Sequence, residues 1–257
     1  AIGTDCLVAN TTASNNTSVG FSALLANTTG AGNVALGSLT LDANTTGNSN
    51  TAVGYVALGA NTTGGSNVAM GQSALGANTT GGNNVAVGIS ALAANTIASS
   101  SVAIGVRALA AFNLNSAVSA YNTAIGEDAG NDVTTGVHNT FVGGLAGDAT
   151  DDGAYNVAVG SAALSANCGD GNTAIGHAAG SFTTGALNTI VGINAGYALT
   201  SGSNNLFLGQ DAGRAGSPGG EITTGSNAIV LGDENITAAY IKVDWTVGSD
   251  ARDKTDF

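Results

Sequence analysis

The side chains best suited to chemistry are three aspartates in one short segment. Asp148, Asp151 and Asp152 stand in the sequence Asp-Ala-Thr-Asp-Asp-Gly. Carboxylate oxygens are ligands that Ca²⁺ prefers, so the segment is a candidate calcium site. Its spacing matches no defined calcium loop, and a solvated turn is the preferred interpretation.

Two acidic pairs and two histidines are the other candidates for catalysis or metal binding. Glu127–Asp128 and Asp233–Glu234 are adjacent in sequence, so on a strand their side chains would diverge. This argues against the facing carboxylates of a glycosidase. His138 and His177 do not have metal-ligand spacing, and we predict surface or turn positions for both. We identify no cofactor site and predict that the chain is not an enzyme.

A recurring glycine determines how any such residues are positioned. From Gly3 to Gly105 the step is 17 residues six times in succession. The glycines are Gly3, Gly20, Gly37, Gly54, Gly71, Gly88, Gly105, Gly126, Gly143, Gly160, Gly176, Gly192, Gly209 and Gly232. A fixed short period indicates stacked copies of one unit, each too small to bury its apolar face alone.

Aligned on this glycine, the repeat reads Asn-a-b-c-Gly-x-x-Ala. Position a is Thr, Val or Leu, position b is small in most copies, and position c is large and aliphatic. Glycine, asparagine and threonine disfavour helix, and 17 residues are too few for a helical repeat. We predict an all-β fold, a parallel β-roll with two short strands and two turns in each coil of about 17 residues.

Each predicted turn has its own residues. The repeated glycine closes the first strand, where a tight corner needs positive φ or close backbone approach. The Asn-Thr-Thr-Gly stretches at 27–30, 44–47, 61–64 and 78–81 supply the second turn, because Asn and Gly suit left-handed conformations. The Asn before position a recurs in eleven of twelve copies, and we predict that it forms an amide ladder along the rod.

Both faces of the predicted strands are apolar in nearly every copy. Positions a and c point to one side and position b to the other, and the narrow lumen can take only one set. A dozen Val, Ile or Leu side chains left in water would forfeit roughly 1.5–3 kcal/mol each. Since no helix is expected to cover them, we predict an obligate homo-oligomer, specifically a homotrimer.

Composition narrows the possible partners. The chain carries 17 acidic and 5 basic residues, a net charge of −12. Nucleic acid and anionic membrane both need a basic patch, so neither is expected as a partner. No stretch approaches the ~20 apolar residues of a membrane span. A surface of Thr, Asn, Ser and Gly offers hydrogen bonds that suit glycans. Cys6 and Cys168 lie about nine coils apart, too far for a disulfide.

The repeat changes along the chain. The step from Gly105 to Gly126 carries four extra residues and the step from Gly209 to Gly232 carries six, and such insertions often form loops on a binding face. After Gly126 the repeat's Ala is mostly followed by Gly instead of Leu, and position b enlarges. Its large residues are Phe141, Ile190 and Phe207. We expect a change in cross-section, with residues 1–213 forming the roll and 214–248 a capping or neck segment.

The last nine residues resemble the start of the intramolecular chaperone that ends many phage tail spikes and fibres, the endosialidase type. That family begins Ser-Asp-x-Arg-x-Lys, and the matching residues here are Ser249, Asp250, Arg252 and Lys254. The resemblance implies that residues 249–257 open a truncated chaperone, which assists trimer assembly and is released by cleavage between Gly248 and Ser249. It further implies Ser249 as nucleophile and Lys254 as base.

The repeat itself is similar to the left-handed parallel β-roll of trimeric autotransporter adhesin heads, whose copies read Asn-Ser-Val-Ala-Ile-Gly. Together the two resemblances imply a segment of a trimeric phage tail fibre or spike. Such a segment is located in the virion, contacts a host receptor that includes glycan, and joins other tail proteins through a missing N-terminal part. The alternative is an adhesin head on a bacterial surface. The repeated Thr-Thr pairs also suggest an ice-binding solenoid. This hypothesis is less favoured, because ice binders need threonines on a flat strand face and these pairs lie in turns with glycine.

Overall fold

Thirteen three-residue strands stack in chain order into one parallel sheet. The computed structural model describes residues 1–238, and no helix occurs in that range. The strands are β1 (Thr17–Val19), β2 (Val34–Leu36), β3 (Thr51–Val53), β4 (Val68–Met70), β5 (Val85–Val87), β6 (Val102–Ile104), β7 (Thr123–Ile125), β8 (Thr140–Val142), β9 (Val157–Val159), β10 (Thr173–Ile175), β11 (Thr189–Val191), β12 (Leu206–Leu208) and β13 (Ile229–Leu231). Each strand pairs with the next, position a with a and c with c. The chain is an all-β solenoid with coils of about 17 residues.

Each coil contains one strand, and the prediction of two was wrong. After the repeated glycine, alternate residues adopt positive φ, as at Leu39 (55°) and Leu41 (52°). Alternating signs of φ cannot produce an extended strand. The backbone nevertheless bonds between coils, since the Leu39 N–H donates to the Phe21 carbonyl at 2.9 Å and the Leu41 N–H to the Ala57 carbonyl at 3.1 Å.

The lumen of the solenoid is filled from position b and from the turn that follows the glycine. Ala35 at position b and the turn residues Ala57 and Leu58 have no exposed surface. Positions a and c point outward from the sheet and remain partly exposed. The two sides of each strand therefore divide as the alternation predicted.

The two glycines of each coil are required for different reasons. Gly37 has a φ of +139°, and a Cβ there would lie 2.5 Å from the Gly54 carbonyl oxygen, so the prediction for the repeated glycine is confirmed. Gly47 does not have positive φ, and the left-handed turn expected there was wrong. A Cβ at Gly47 would clash with the Gly64 carbonyl and lie 3.0 Å from Asn61 Nδ2. Close stacking of coils is what excludes a side chain there.

Two amide ladders run along the solenoid. The predicted one is confirmed: the backbone N–H of Asn50 donates to Asn33 Oδ1 at 2.9 Å, and Asn50 Nδ2 donates to the Gly64 carbonyl at 2.9 Å. The second, which we call the buried amide ladder, was not predicted. It consists of Asn27, Asn44, Asn61, Asn78 and Asn95, of which the first four were assigned from the sequence to turns.

The solenoid continues past the predicted boundary at residue 213. Strand β13 pairs in register with β12, because Ile229, Val230 and Leu231 repeat the a-b-c pattern ahead of Gly232. The six extra residues of this step form a loop before the chain returns to the sheet. The roll therefore reaches at least Leu231, and residues 239–248 of the predicted cap or neck lie outside the described residues.

Candidate functional site

The three candidate calcium ligands are not brought together. The Asp148 carboxyl is half-buried and its Oδ1 has no hydrogen-bond partner among the described residues. Burial raises its pKa, and the charges of Asp132 and Asp128 raise it further. Asp151 is instead engaged by Thr134, whose hydroxyl donates to its carboxylate, and Asp152 is exposed. In the described part of the chain no three acidic, His or Cys residues could hold a metal.

The acidic pair Glu127–Asp128 links two coils. The guanidinium of Arg107 donates from Nε to Asp128 Oδ1 at 2.7 Å and from Nη2 to Asp128 Oδ2 at 2.6 Å, while Glu127 Oε1 lies 4.0 Å from Nη2. The divergence was expected for a strand, and this premise does not hold, because the two residues lie in the turn after the glycine. Their role is that of an exposed cross-coil ion pair.

The second pair, Asp233–Glu234, borders a shallow cavity near the last coil. Asp211 and Arg214 line the same cavity, and Arg214 Nη1 donates to Asp211 Oδ1 at 2.7 Å. This bond lowers the pKa of Asp211. The Arg214 guanidinium also lies 5.2 Å from the ring centroid of Tyr197. The cation is thus held on two sides within the turn.

The remaining predicted residues fall into three groups. Ser249 and Lys254, with the implied cleavage point before Ser249, lie outside the described residues. Both cysteines are free, which confirms that no disulfide joins them, and burial raises the pKa of the Cys168 thiol. His138 and His177 are exposed, as predicted.

The outward side of the sheet, which we call the outer sheet face, carries a long row of partly exposed apolar side chains. It comprises positions a and c of the thirteen strands, and none of these residues is charged. Leu36 is 47% exposed and Met70 is 42% exposed. At the spacing of β-strands, thirteen strands form a face about 60 Å long. Contiguous apolar surface of this extent indicates an interaction site.

Large side chains are staggered along one flank of this face. In the coils of residues 19–89, a Val at position c is accompanied by a large residue directly after the glycine, as with Val53 and Tyr55, which is 54% exposed. In the next coil the order reverses, and Met70 is followed by the polar Gln72. The same exchange runs through the coils of residues 19–89, with Val19/Phe21, Leu36/Ser38 and Val87/Ile89. A 34-residue period in the sequence could have revealed it.

The threonine pairs of the Asn-Thr-Thr-Gly stretches stack from coil to coil, and we call them the threonine rows. They contribute to coil stacking. Thr28 Oγ1 donates to the Thr45 carbonyl at 3.0 Å, and Thr45 Oγ1 donates to the Thr62 carbonyl at 3.1 Å. The second threonine of each pair, such as Thr46, is exposed. Half of the hydroxyls in the rows are therefore engaged within the solenoid.

Comparison of the chain with protein families, curated proteins and solved structures finds no match. Among residues 1–238, no helix has the length and apolar character needed to cross a membrane. The features that bear on function are those of the solenoid surface.

Proposed function

We propose that this chain is the shaft or head segment of a homotrimeric phage tail fibre or spike that binds the host surface. The observation that carries the proposal is the outer sheet face, an uncharged apolar stripe on thirteen successive strands. Burying it stabilises the assembly by roughly 1.5–3 kcal/mol for each large aliphatic side chain fully covered. A single chain forgoes this contribution.

A second copy of the chain is the partner that fits the whole face. The face repeats at the coil spacing along its length, so only a partner with the same repeat can match it from β1 to β13. In a closed ring of three, one flank of each copy meets the other flank of its neighbour. The staggered large side chains, such as Tyr55 and Met70, then interdigitate between chains.

The other parts of the proposal come from resemblance. The terminal residues resemble the start of a chaperone that is cut before Ser249, with Ser249 as nucleophile and Lys254 as its base. A desolvated lysine can accept a hydroxyl proton, so the pair is chemically suited to this step. The proposed location is the virion, with a host glycan as receptor and other tail proteins as further partners. The alternative, a bacterial adhesin head, requires a coiled coil and membrane anchor downstream of Phe257.

An ice-binding role has less support. Ice binding requires a flat array of threonine hydroxyls free for water, whereas the first hydroxyl of each pair, as at Thr28 and Thr45, donates to a carbonyl of the next coil and only the second, as at Thr46, is exposed. Thermal hysteresis in a solution of the protein would restore that hypothesis.

The decisive experiment is the mass of the folded protein in solution. One chain has a mass of 24.6 kDa, and sedimentation equilibrium should give three times this value. A well-folded species of single-chain mass would overturn the trimer. Expression of the gene with its downstream sequence tests the chaperone, because mass spectrometry should find a chain ending at Gly248. The variant Ser249→Ala should remain uncut, and an uncut parent protein would contradict this part of the proposal.

A further inference from the structure

Three exposed rings stack on consecutive coils, just before strands β7, β8 and β9. The ring centroids of Tyr121 and His138 are 5.4 Å apart with an angle of 24° between planes, and those of His138 and Tyr155 are 5.0 Å apart with an angle of 4°. Tyr121 is 58% exposed and Tyr155 is 62% exposed. We call these three residues the aromatic ladder.

The backbone at the ladder disfavours large side chains. Tyr121, His138 and Tyr155 have φ values of 53°, 59° and 61°. Bulky residues in this left-handed region are strained, whereas Asn and Gly tolerate it. The equivalent position in most other coils is Asn, Gly or Ser, namely Asn15, Gly32, Ser49, Ser66, Asn83, Ser100, Gly171, Asn204 and Asn227. The solenoid therefore forms without rings at this position, so the fold does not require the three rings of the ladder.

One end of the ladder is open and polar. The equivalent residue on the N-terminal side of Tyr121 is Ser100, too small to cover the ring, and its Oγ lies 3.2 Å from Ser119 Oγ. The exposed residues 115–119 belong to the longer step between Gly105 and Gly126, and Ser119 at their end forms a parallel bridge with Ser99. At the other end Leu187 leans over Gly171, with Cδ2 2.9 Å from where a Cβ would be. The polar end of the ladder is therefore the N-terminal face of the Tyr121 ring.

The chemistry around this face selects an uncharged ligand. A flat apolar ring can contact the C–H face of a sugar. Hydroxyl groups beside the ring can form hydrogen bonds with the hydroxyl groups of the sugar. Between residues 83 and 121 the only charged side chain is Arg107, and it is paired with Asp128. No unpaired cation of this stretch is available for a phosphate, a uronic acid or a sialic acid.

We propose that the N-terminal face of Tyr121, with Ser100, Ser119 and residues 115–119, binds a neutral sugar ring of a glycan. His138 and Tyr155 are positioning residues, because their stacking holds the Tyr121 ring in one orientation before the ligand arrives. The proposed site gives a ligand class for the proposed host-surface function. It rests on that function only for the origin of the sugar, which would be a glycan of the host surface.

Titration of the protein with methyl glycosides of glucose, galactose, mannose and N-acetylglucosamine tests the site, with methyl glucuronide as the anionic comparator. Saturation-transfer NMR and chemical-shift changes report binding. At least one neutral glycoside should bind, and Tyr121→Ala should weaken it about tenfold. Tyr121→Phe keeps the ring and should retain binding. Phe182→Ala, which removes an exposed ring elsewhere, should have no effect.

The positioning role has its own test, since His138→Ala should weaken binding while His138→Phe, which restores a stacked ring, should recover it. The proposal is overturned if no neutral glycoside binds, if glucuronide binds better, or if Tyr121→Ala keeps full affinity. A fall in oligomer mass on Tyr121→Ala would also overturn it, because the ring would then belong to the contact between copies. A parent protein of single-chain mass that still binds sugar through Tyr121 would contradict the trimer and support the site.

Discussion

The ring of Phe141 fills the space where a side chain of Gly147 would lie. A Cβ at Gly147 would be 2.6 Å from Cε1 and 2.7 Å from Cζ of that ring. Gly130, the equivalent glycine of the preceding coil, abuts the ring from the other side, with a Cβ distance of 2.8 Å to Cδ2. In the coils of residues 35–109 and again at Ala158 and Leu164, an Ala at position b accompanies a Leu four residues after the repeated glycine. In the coil of Phe141, the large side chain in the lumen therefore comes from position b, and the position that other coils fill with Leu is Gly147.

This exchange predicts strong coupling between the two positions. Phe141→Ala leaves a cavity and should cost about 3–5 kcal/mol, and Gly147→Leu overpacks the lumen at about 1–3 kcal/mol. The double variant recreates the Ala/Leu pair and should recover about 2 kcal/mol of the summed losses. Denaturation of the four proteins in a double-mutant cycle measures this. Strictly additive losses would show that the two positions do not share space.

The buried amide ladder predicts unequal costs along its length. Asn61 Nδ2 donates to Asn44 Oδ1 at 2.8 Å and Asn61 Oδ1 accepts from Asn78 at 2.8 Å, so Asn61→Ala leaves buried partners on both sides. Asn95 ends the ladder, because Phe112 takes the next position and the Asn95 Oδ1 has no partner within residues 1–238.

The variant Asn95→Ala is therefore the matched control for Asn61→Ala. Each buried donor or acceptor left without a partner costs about 1–3 kcal/mol, so Asn61→Ala should lower the free energy of unfolding by at least about 1 kcal/mol more than Asn95→Ala does. Urea unfolding of both variants provides the comparison. Equal destabilisation would mean that the ladder does not act as a connected unit.

The environment of Asp148 predicts a pH dependence. Its pKa is raised in the folded protein, so the folded state holds the proton more tightly than the unfolded state does. Stability from this group is therefore full below the unfolded value of about 3.9 and falls as pH rises through the folded pKa. Asp148→Asn should unfold at a higher temperature than the parent protein at pH 7, and the difference should vanish near pH 3. Asp152→Asn, at an exposed position, should show no such trend.

The outer sheet face predicts which charges disrupt assembly. Met70→Asp places a carboxylate in the proposed contact between chains, where burial without a partner is costly. We expect its mass in solution to fall to that of one chain. Thr80→Asp adds the same charge on an exposed turn outside the face and should leave the mass unchanged. If Met70→Asp keeps the mass of the parent protein, the outer sheet face is not the contact.

A prediction for the threonine rows concerns stability. Thr45→Val removes the hydroxyl that donates to the Thr62 carbonyl and should destabilise the solenoid by about 1 kcal/mol. The neighbouring Thr46→Val changes an exposed side chain and should have a smaller effect. Thermal unfolding of the two variants compares them directly.

Much of the fold follows from sequence because a residue 17 positions away is a spatial neighbour. Identical residues at that spacing must stack, and so the glycine corner at Gly37 and the Asn33–Asn50 ladder were predictable. The aromatic ladder obeys the same rule: Tyr121, His138 and Tyr155 stand 17 residues apart, and their spacing contained the signal that the sequence analysis missed.

The periodic sequence alone determined the stacked β architecture and the placement of position b opposite to positions a and c, because both depend only on spacing and alternation. The tertiary structure decided what each coil does between its glycines. Leu39 and Leu41 adopt left-handed φ against their own preference, since neighbouring coils fix their hydrogen bonds. It likewise decided that the Asn61 side chain is buried, because a residue's burial depends on the coils packed above and below it.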